Sequence, residues 1–84
     1  MITARQSRAA RALLGWTQEA LADNARTSLT ALKRLESESG LVVYESTQDQ
    51  VRRALEAAGI VFLSTDKGEG VLLLHNRSGQ PASR

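Results

Sequence analysis

The sequence predicts a small, mainly helical domain of four to five helices that ends in a β-hairpin. The chain has 84 residues, which favours a single domain. Its front part spaces apolar residues at helical intervals between capping residues, and two β-prone runs follow. The chain contains no cysteine and one histidine, which excludes disulfides, thiolate chemistry and a histidine-rich metal site.

Capping residues delimit the first two helices. Thr3 and Gln6 form a capping-box pattern, which starts the first helix. Gly15 suits the residue after that helix, because glycine adopts a positive φ at little cost. Thr17 is a cap for a second helix that is expected to run to about Asn24. The buried side of the first helix is expected to comprise Ala9, Ala10, Leu13 and Leu14.

Capping residues and apolar spacing predict two further helices. A third helix is predicted from about Ser28 to Ser37, before a break at Gly40. A fourth helix is expected to open at Thr47, with a capping-box partner at Gln50. Its buried stripe has the spacing i, i+3, i+4, i+7 and comprises Val51, Ala54, Leu55 and Ala58.

Two apolar runs near the end of the chain predict the hairpin. They cover residues 60–63 and 71–74, with turn-forming residues at 64–70 between them. Neither run alternates apolar with polar residues, so both faces of each strand need cover. One face can lie on the helices. We expect a second subunit to cover the other, with a dimer interface formed by Ile60, Phe62, Val71 and Leu73.

Charge is distributed unevenly along the chain. Residues 1–34 contain six basic and two acidic side chains, whereas residues 35–69 contain three basic and seven acidic ones. A basic front half suits a protein that presents one face to a polyanion such as nucleic acid. The alternative is that these charges only solvate helix surfaces, and charge alone does not separate the two interpretations.

Residues 17–37 have the pattern of a helix-turn-helix. Leu21, Ala22 and Ala25 give the first of its helices a narrow apolar face, and the small Ala22 permits a close helix crossing. Leu32 and Leu35 form the inner face of the second helix. Its outer face carries groups of a size that enters the major groove of DNA: Leu29, Thr30, Lys33, Arg34 and Ser37.

Residues 5–36 contain a characteristic set: Arg11, Leu14-Gly15-Trp16-Thr17-Gln18, Leu21-Ala22, Ser28, Leu32 and Leu35-Glu36. With this set, the segment resembles the lambda-repressor/Cro-like, or Xre-type, family of bacterial and phage regulators. Residues 55–62 and 68–72 are similar to the end of short family members that carry an extra hairpin. The resemblance implies a DNA-binding domain over residues 1–75, with the motif at 17–37 and a dimerisation hairpin at 60–74. Residues 76–84 are expected to be a disordered tail.

The resemblance also implies a role for each position. Glu36 would pair with Arg11 and lock the first helix against the third. Base edges would face Leu29, Thr30, Lys33 and Arg34. Contacts with the DNA backbone are expected for Thr17, Gln18, Arg26, Ser28 and Ser37.

Two positions depart from the family pattern. The family usually has glycine where this chain has Arg26, and a non-glycine residue with positive φ costs about 1 kcal/mol. Either the turn is reshaped or Arg26 accepts the strain to reach a phosphate. Leu29 stands where many relatives have a polar side chain; it cannot hydrogen-bond a base but can pack on a thymine methyl group.

These expectations combine into a cytoplasmic, nucleoid-associated regulator that binds double-stranded DNA as a homodimer and represses its own promoter. Two alternatives remain open: an antitoxin whose second half binds a toxin, and a protein-interaction module that does not bind DNA. The regulator and the antitoxin are each compatible with a protein partner, which would be an anti-regulator or a toxin. We expect no enzyme activity, cofactor or metal, because no catalytic set of residues is present. No membrane span is expected, because the longest apolar runs are four residues.

Overall fold

The computed structural model describes residues 2–37 and 43–75, which form four helices followed by an antiparallel hairpin. This result confirms a small, mainly helical fold with a C-terminal hairpin. None of the helices in these ranges has the length and apolar character needed to cross a membrane. The tail predicted at residues 76–84 lies outside the described residues, as does the break at Gly40. The elements are α1 (Ala4–Leu14), α2 (Gln18–Ala25), α3 (Leu29–Glu36), α4 (Glu45–Ala57), β1 (Ile60–Thr65) and β2 (Gly68–Leu73).

Side-chain caps start the first three helices where the sequence predicts them. Thr3 Oγ1 accepts from the backbone N–H of Gln6, and Gln6 Oε1 accepts from that of Thr3, both at 3.1 Å. Thr17 and Ser28 each accept from the N–H three residues on at 3.0 Å. Each such cap stabilises its helix by about 1 kcal/mol, because it satisfies an N–H group that has no partner within the helix.

The predicted start of the fourth helix is wrong. α4 begins at Glu45, and its N-cap residue is Tyr44, which makes no side-chain capping bond. The Tyr44 carbonyl accepts from the N–H groups of Thr47 and Gln48, so the helical bonding pattern is already established there. Thr47 is 7% exposed and lies in the first turn as a buried residue. The carboxylate of Glu45 replaces a cap by its favourable interaction with the helix dipole.

The buried side of α1 differs from the predicted one. Ala10 is fully buried, but Leu13 is 48% exposed and Ala9 is exposed as well. Gln6 and Ser7 are buried in their place. Two polar residues can occupy this face because both find hydrogen-bond partners on other elements, which removes the cost of taking them out of water.

The apolar core lies between the four helices and the first residue of the hairpin. Leu21 from α2, Leu32 from α3 and Leu55 from α4 are fully buried. Burying one such side chain stabilises the fold by about 1.5–3 kcal/mol. The other members of the core are Ile2, Ala10, Ala22, Ala25, Leu35, Val51 and Ile60.

The hairpin is longer and its turn tighter than the sequence predicts. β1 and β2 pair from Ile60 with Leu73 to Thr65 with Gly68, so only Asp66 and Lys67 form the turn. α4 passes into β1 through Ala58 and Gly59. Gly59 has a φ of 105°, which glycine adopts far more readily than other residues. The connection between helix and strand is therefore short and specific.

The inner face of the hairpin packs on the helices. Ile60 is 2% exposed and belongs to the core, and Phe62, Val71 and Leu73 pack against that core. These four residues are the ones expected at a dimer interface. A second subunit has no access to Ile60 in this arrangement, and the other three residues already have partners within the chain. The reason is the two-residue period of a strand, which gives alternate residues to opposite faces.

The opposite side of the hairpin, called here the outer face, consists of Val61, Leu63, Leu72 and Leu74. Leu63 is 47% exposed, Leu72 49% and Leu74 43%. Val61 lies directly across from Leu72 in the ladder. Each of these leucines keeps nearly half of its surface exposed in the described part of the chain, so this face is the apolar surface that still needs cover.

Gln6 fastens the hairpin to α1. Its side-chain Nε2 donates to the carbonyls of Leu63 and Gly70, at 3.0 Å each, and these two residues are a register pair of the ladder. Glu69 adds a second link, because its Oε2 accepts from Thr3 Oγ1 at 3.0 Å. The N-terminal turn of α1 is therefore bonded to both strands, which fixes the orientation of the hairpin relative to the helices.

Candidate nucleic-acid interface

α2 and α3 are joined by a tight turn at residues 26–28. Arg26 has φ 57° and ψ 42°, and it is the only non-glycine residue with positive φ in the described ranges. Its N–H and that of Thr27 donate to carbonyls in the last turn of α2, which closes the helix. The turn is therefore not reshaped: Arg26 adopts the strained backbone conformation, at a cost of about 1 kcal/mol.

The outer side of α3 is exposed to solvent. Thr30, Lys33, Arg34 and Ser37 are exposed and Leu29 is partly exposed, whereas Leu32 and Leu35 on the other side are buried. This division follows from the helical period, which groups residues three and four apart. Among the described residues, no carboxylate forms an ion pair with Arg26, Lys33 or Arg34. Their charges are thus available to an anionic ligand.

The residues expected to contact the DNA backbone differ in how far hydrogen bonds within the protein already engage their polar groups. Thr17 and Ser28 are exposed, but the hydroxyl of each also caps its helix. Gln18 Nε2 donates to Glu36 Oε1 at 3.1 Å, so one of its amide hydrogens is engaged inside the protein. α2 carries two exposed acids, Glu19 in its first turn and Asp23 further along, so a phosphate at its N-terminal end meets the helix dipole and also the charge of Glu19.

A buried carboxylate holds the two helices in place. Glu36, at the end of α3, has a side chain that is only 2% exposed, and Arg11 from α1 pairs with it at 2.8 Å (Nη2 to Oε1). Arg11 Nε also donates to both carboxylate oxygens, at 3.1 and 3.0 Å. This is the pair expected from the resemblance, and its geometry engages both oxygens.

Two more donors complete this site, which the sequence analysis did not assign. Ser7 Oγ donates to Glu36 Oε2 at 2.6 Å, and Gln18 Nε2 donates to Oε1. Arg8 donates to the backbone carbonyl of Glu36. One signal was available in the sequence, because Ser7 lies four residues before Arg11 and therefore on the same side of α1. We call Glu36, Arg11, Ser7 and Gln18 the Glu36 network; it joins α1, α2 and α3.

The environment of Glu36 has opposing effects on its acidity. Burial raises the pKa of the Glu36 carboxyl, but hydrogen bonds from Arg11, Ser7 and Gln18, together with the charge of Arg11, lower it more. The pKa therefore lies below its ordinary value, and the carboxylate stays ionised at neutral pH. The network is thus a charged structural contact under physiological conditions.

Comparison of the chain with family models, curated proteins and solved structures yields no significant match. Within the described ranges, no group of three or more histidine, cysteine, aspartate or glutamate residues is arranged to hold a metal ion. The exposed side of α3 presents hydrogen-bonding groups and two positive charges to solvent, from Thr30, Lys33 and Arg34.

We predict that Glu36→Ala lowers the free energy of unfolding by about 3–5 kcal/mol, because it leaves Arg11 unpaired in a partly buried position. Urea denaturation measures this change. Glu56→Ala is the matched control: it removes a glutamate whose side chain is 44% exposed and pairs with Arg52. The control should change stability by about 0.5 kcal/mol or less. Equal effects of the two variants would contradict the structural role of the network.

The lowered pKa of Glu36 also predicts a pH dependence. The stabilisation from a depressed carboxyl pKa is fully present above the unfolded-state value of about 4.3 and is lost as pH falls through the lower folded-state value. Glu36→Gln removes this titration. The stability difference between wild type and Glu36→Gln should therefore shrink as the pH is lowered from about 6 to about 3. A difference that stays constant over this range would show that Glu36 does not titrate as described.

Proposed function

We propose that this protein is a sequence-specific regulator that binds double-stranded DNA as a homodimer. The observation that carries the proposal is the exposed side of α3, where Thr30, Lys33 and Arg34 lie on a helix whose other side is fixed in the core and by the Glu36 network. A surface helix of this kind has the dimensions and the donors that the major groove accepts. The resemblance of residues 5–36 to the lambda-repressor/Cro-like family supports the same conclusion.

Sequence recognition is assigned to the outer side of α3. The guanidinium of Arg34 can donate two hydrogen bonds to O6 and N7 of guanine, which is the commonest specific contact between proteins and DNA. Lys33 and Thr30 supply further hydrogen bonds to base edges. Leu29, which is partly exposed, packs on a thymine methyl group.

Contacts with the backbone set the register of the complex. Arg26 and Ser28 lie in and next to the turn between the helices, and Ser37 follows α3, so they flank the reading helix on both ends. Thr17 and the remaining amide hydrogen of Gln18 lie at the N-terminus of α2, where the helix dipole favours a phosphate. The strain at Arg26 is consistent with retention of a long cationic side chain at a turn where glycine would be easier to accommodate.

The dimer is assigned to the outer face of the hairpin. A two-fold axis there would bury Leu63, Leu72 and Leu74 against the same residues of a second copy. The inner face holds the outer face in position, because its residues pack on the helices of the same subunit: Ile60, Phe62, Val71 and Leu73. The proposal requires that the two α3 helices of such a dimer lie in successive major grooves, roughly 34 Å apart, on an inverted repeat.

Regulation would then depend on the amount of protein. We assign no sensor to this domain, so occupancy of the operator follows the concentration of the dimer. Repression of its own promoter by blocking access is the simplest consequence, and it places the protein with the nucleoid in the cytoplasm. No cofactor and no catalytic step are needed for this activity.

An antitoxin is the second candidate, and the outer face is the observation that favours it. An exposed apolar surface on a small domain suits a different protein as well as a second copy. In that case α3 still binds DNA while the hairpin binds a toxin. Co-purification of a second small protein with the wild type, and loss of that protein with a variant of the outer face, would favour this candidate.

We predict that Arg34→Ala weakens binding to operator DNA by about a hundredfold or more, because each of the two subunits loses a bidentate base contact that is worth about tenfold or more. An electrophoretic mobility shift with the DNA just upstream of the gene measures this at two salt concentrations. Arg53→Ala is the matched control, because that arginine is also exposed but lies on α4 and pairs with Asp49. Wild-type binding should weaken steeply with salt. No wild-type shift at low salt, or equal effects of the two variants, would contradict the proposal.

We predict that Leu72→Asp converts the dimer into a monomer, because it places a charge in the apolar interface. Sedimentation or light scattering gives the mass, and circular dichroism tests whether the helices persist. Leu13→Asp is the matched control, since Leu13 is 48% and Leu72 49% exposed but Leu13 lies on α1. A dimer that survives Leu72→Asp, or a wild type that is already a monomer, would argue against dimerisation through the outer face.

A further inference from the structure

A groove separates α3 from the start of α4, next to the surface proposed to read DNA. Ser28, Thr30 and Arg34 line one side, and Val43 and Tyr44 line the other. With Thr47, which also lines the groove, four residues that carry a hydroxyl group and one guanidinium surround a single depression. None of the described residues that line it is acidic.

Tyr44 is unusual among the large side chains of this protein. It is 74% exposed, although an aromatic ring of this size normally gains by burial. It is the N-cap residue of α4, but its hydroxyl makes no capping bond. Tyr44 thus contributes little to the core, which leaves its phenol available to a ligand.

The acidic residues of α4 lie elsewhere. Glu45 and Asp49 line a separate depression together with Ile2 and Arg52. The side of α4 that faces α3 presents Tyr44 and the buried Thr47 instead. Among the described residues that line the groove, the charged side chain is the cation of Arg34, and the other polar side chains are neutral.

We propose that Tyr44 contacts the DNA backbone beside the bases that α3 reads, by donating its phenol O–H to a phosphate oxygen. This inference rests on the proposed function. A phenol is a neutral donor, so the contact adds affinity without displacing a counterion and without a preference for particular bases. These two properties distinguish Tyr44 from Arg34, which is charged and is assigned to a base edge.

The test compares Tyr44→Phe with wild type on two probes. One probe is the duplex that wild type selects from a pool randomised over about 30 bp, or roughly three helical turns. The other is poly(dA-dT), as non-specific DNA. Tyr44→Phe should bind both probes about a hundredfold more weakly, because each of the two subunits loses a hydrogen bond to a charged group that is worth about tenfold. The dependence of log Kd on log salt concentration should keep the wild-type slope.

Ser46→Ala is the matched control, since it removes a hydroxyl from the first turn of α4 on the side away from the groove. It should bind as wild type does. Because Tyr44 is so exposed, the melting temperature of Tyr44→Phe should equal that of wild type.

Four results would overturn the proposal. In the first, Tyr44→Phe binds like wild type but Tyr44→Ala binds more weakly; the ring and not the hydroxyl would then account for the effect. A loss limited to the selected duplex would indicate a base contact. If Tyr44→Phe has no effect although Arg34→Ala weakens binding, the proposed function stands and the role of Tyr44 fails. If wild type does not bind DNA, both the proposed function and the role of Tyr44 are wrong.

Discussion

The buried carboxylate of Glu36 is the contact on which the arrangement of the first three helices depends. A charge that is taken out of water is tolerated only when every oxygen has a donor, and here Arg11, Ser7 and Gln18 provide them from two other helices. Each donor must therefore occupy one position relative to the end of α3. The carboxylate thus converts a weak apolar contact between short helices into a defined geometry, and the outer side of α3 is positioned by it.

Polar contacts compensate for a small core throughout this chain. α2 and α3 are eight residues each, too short to be stable without packing. The face of α1 that a larger domain would fill with leucine holds Gln6 and Ser7 instead, and each bonds to another element. Hydrogen bonds of this kind are directional, so they define the relative orientation of the elements more narrowly than apolar contacts do.

Local signals in the sequence were sufficient for the helix starts at Thr17 and Ser28 and for the presence of a hairpin, because these depend on a few adjacent residues. Features that depend on distant partners were not predictable. The buried position of Gln6 requires the carbonyls of the hairpin, and the early start of α4 makes Thr47 a buried residue instead of a cap. The assignment of Ile60 to an interface failed because two uninterrupted apolar runs contain no signal for which face points inward.

The short link at Gly59 and the bonds from Gln6 attach the hairpin to the helices from two sides. A dimer joined through the outer face would accordingly behave as one rigid body, with little freedom to rotate one reading helix against the other. One added base pair between two half-sites turns the second by about 35° around the duplex axis. A hinged protein absorbs such a rotation by bending its linker, whereas in the described part of this chain the hairpin is bonded directly to α1 and joined to α4 through Gly59. The operator would then tolerate changes in its central bases far better than a change in their number.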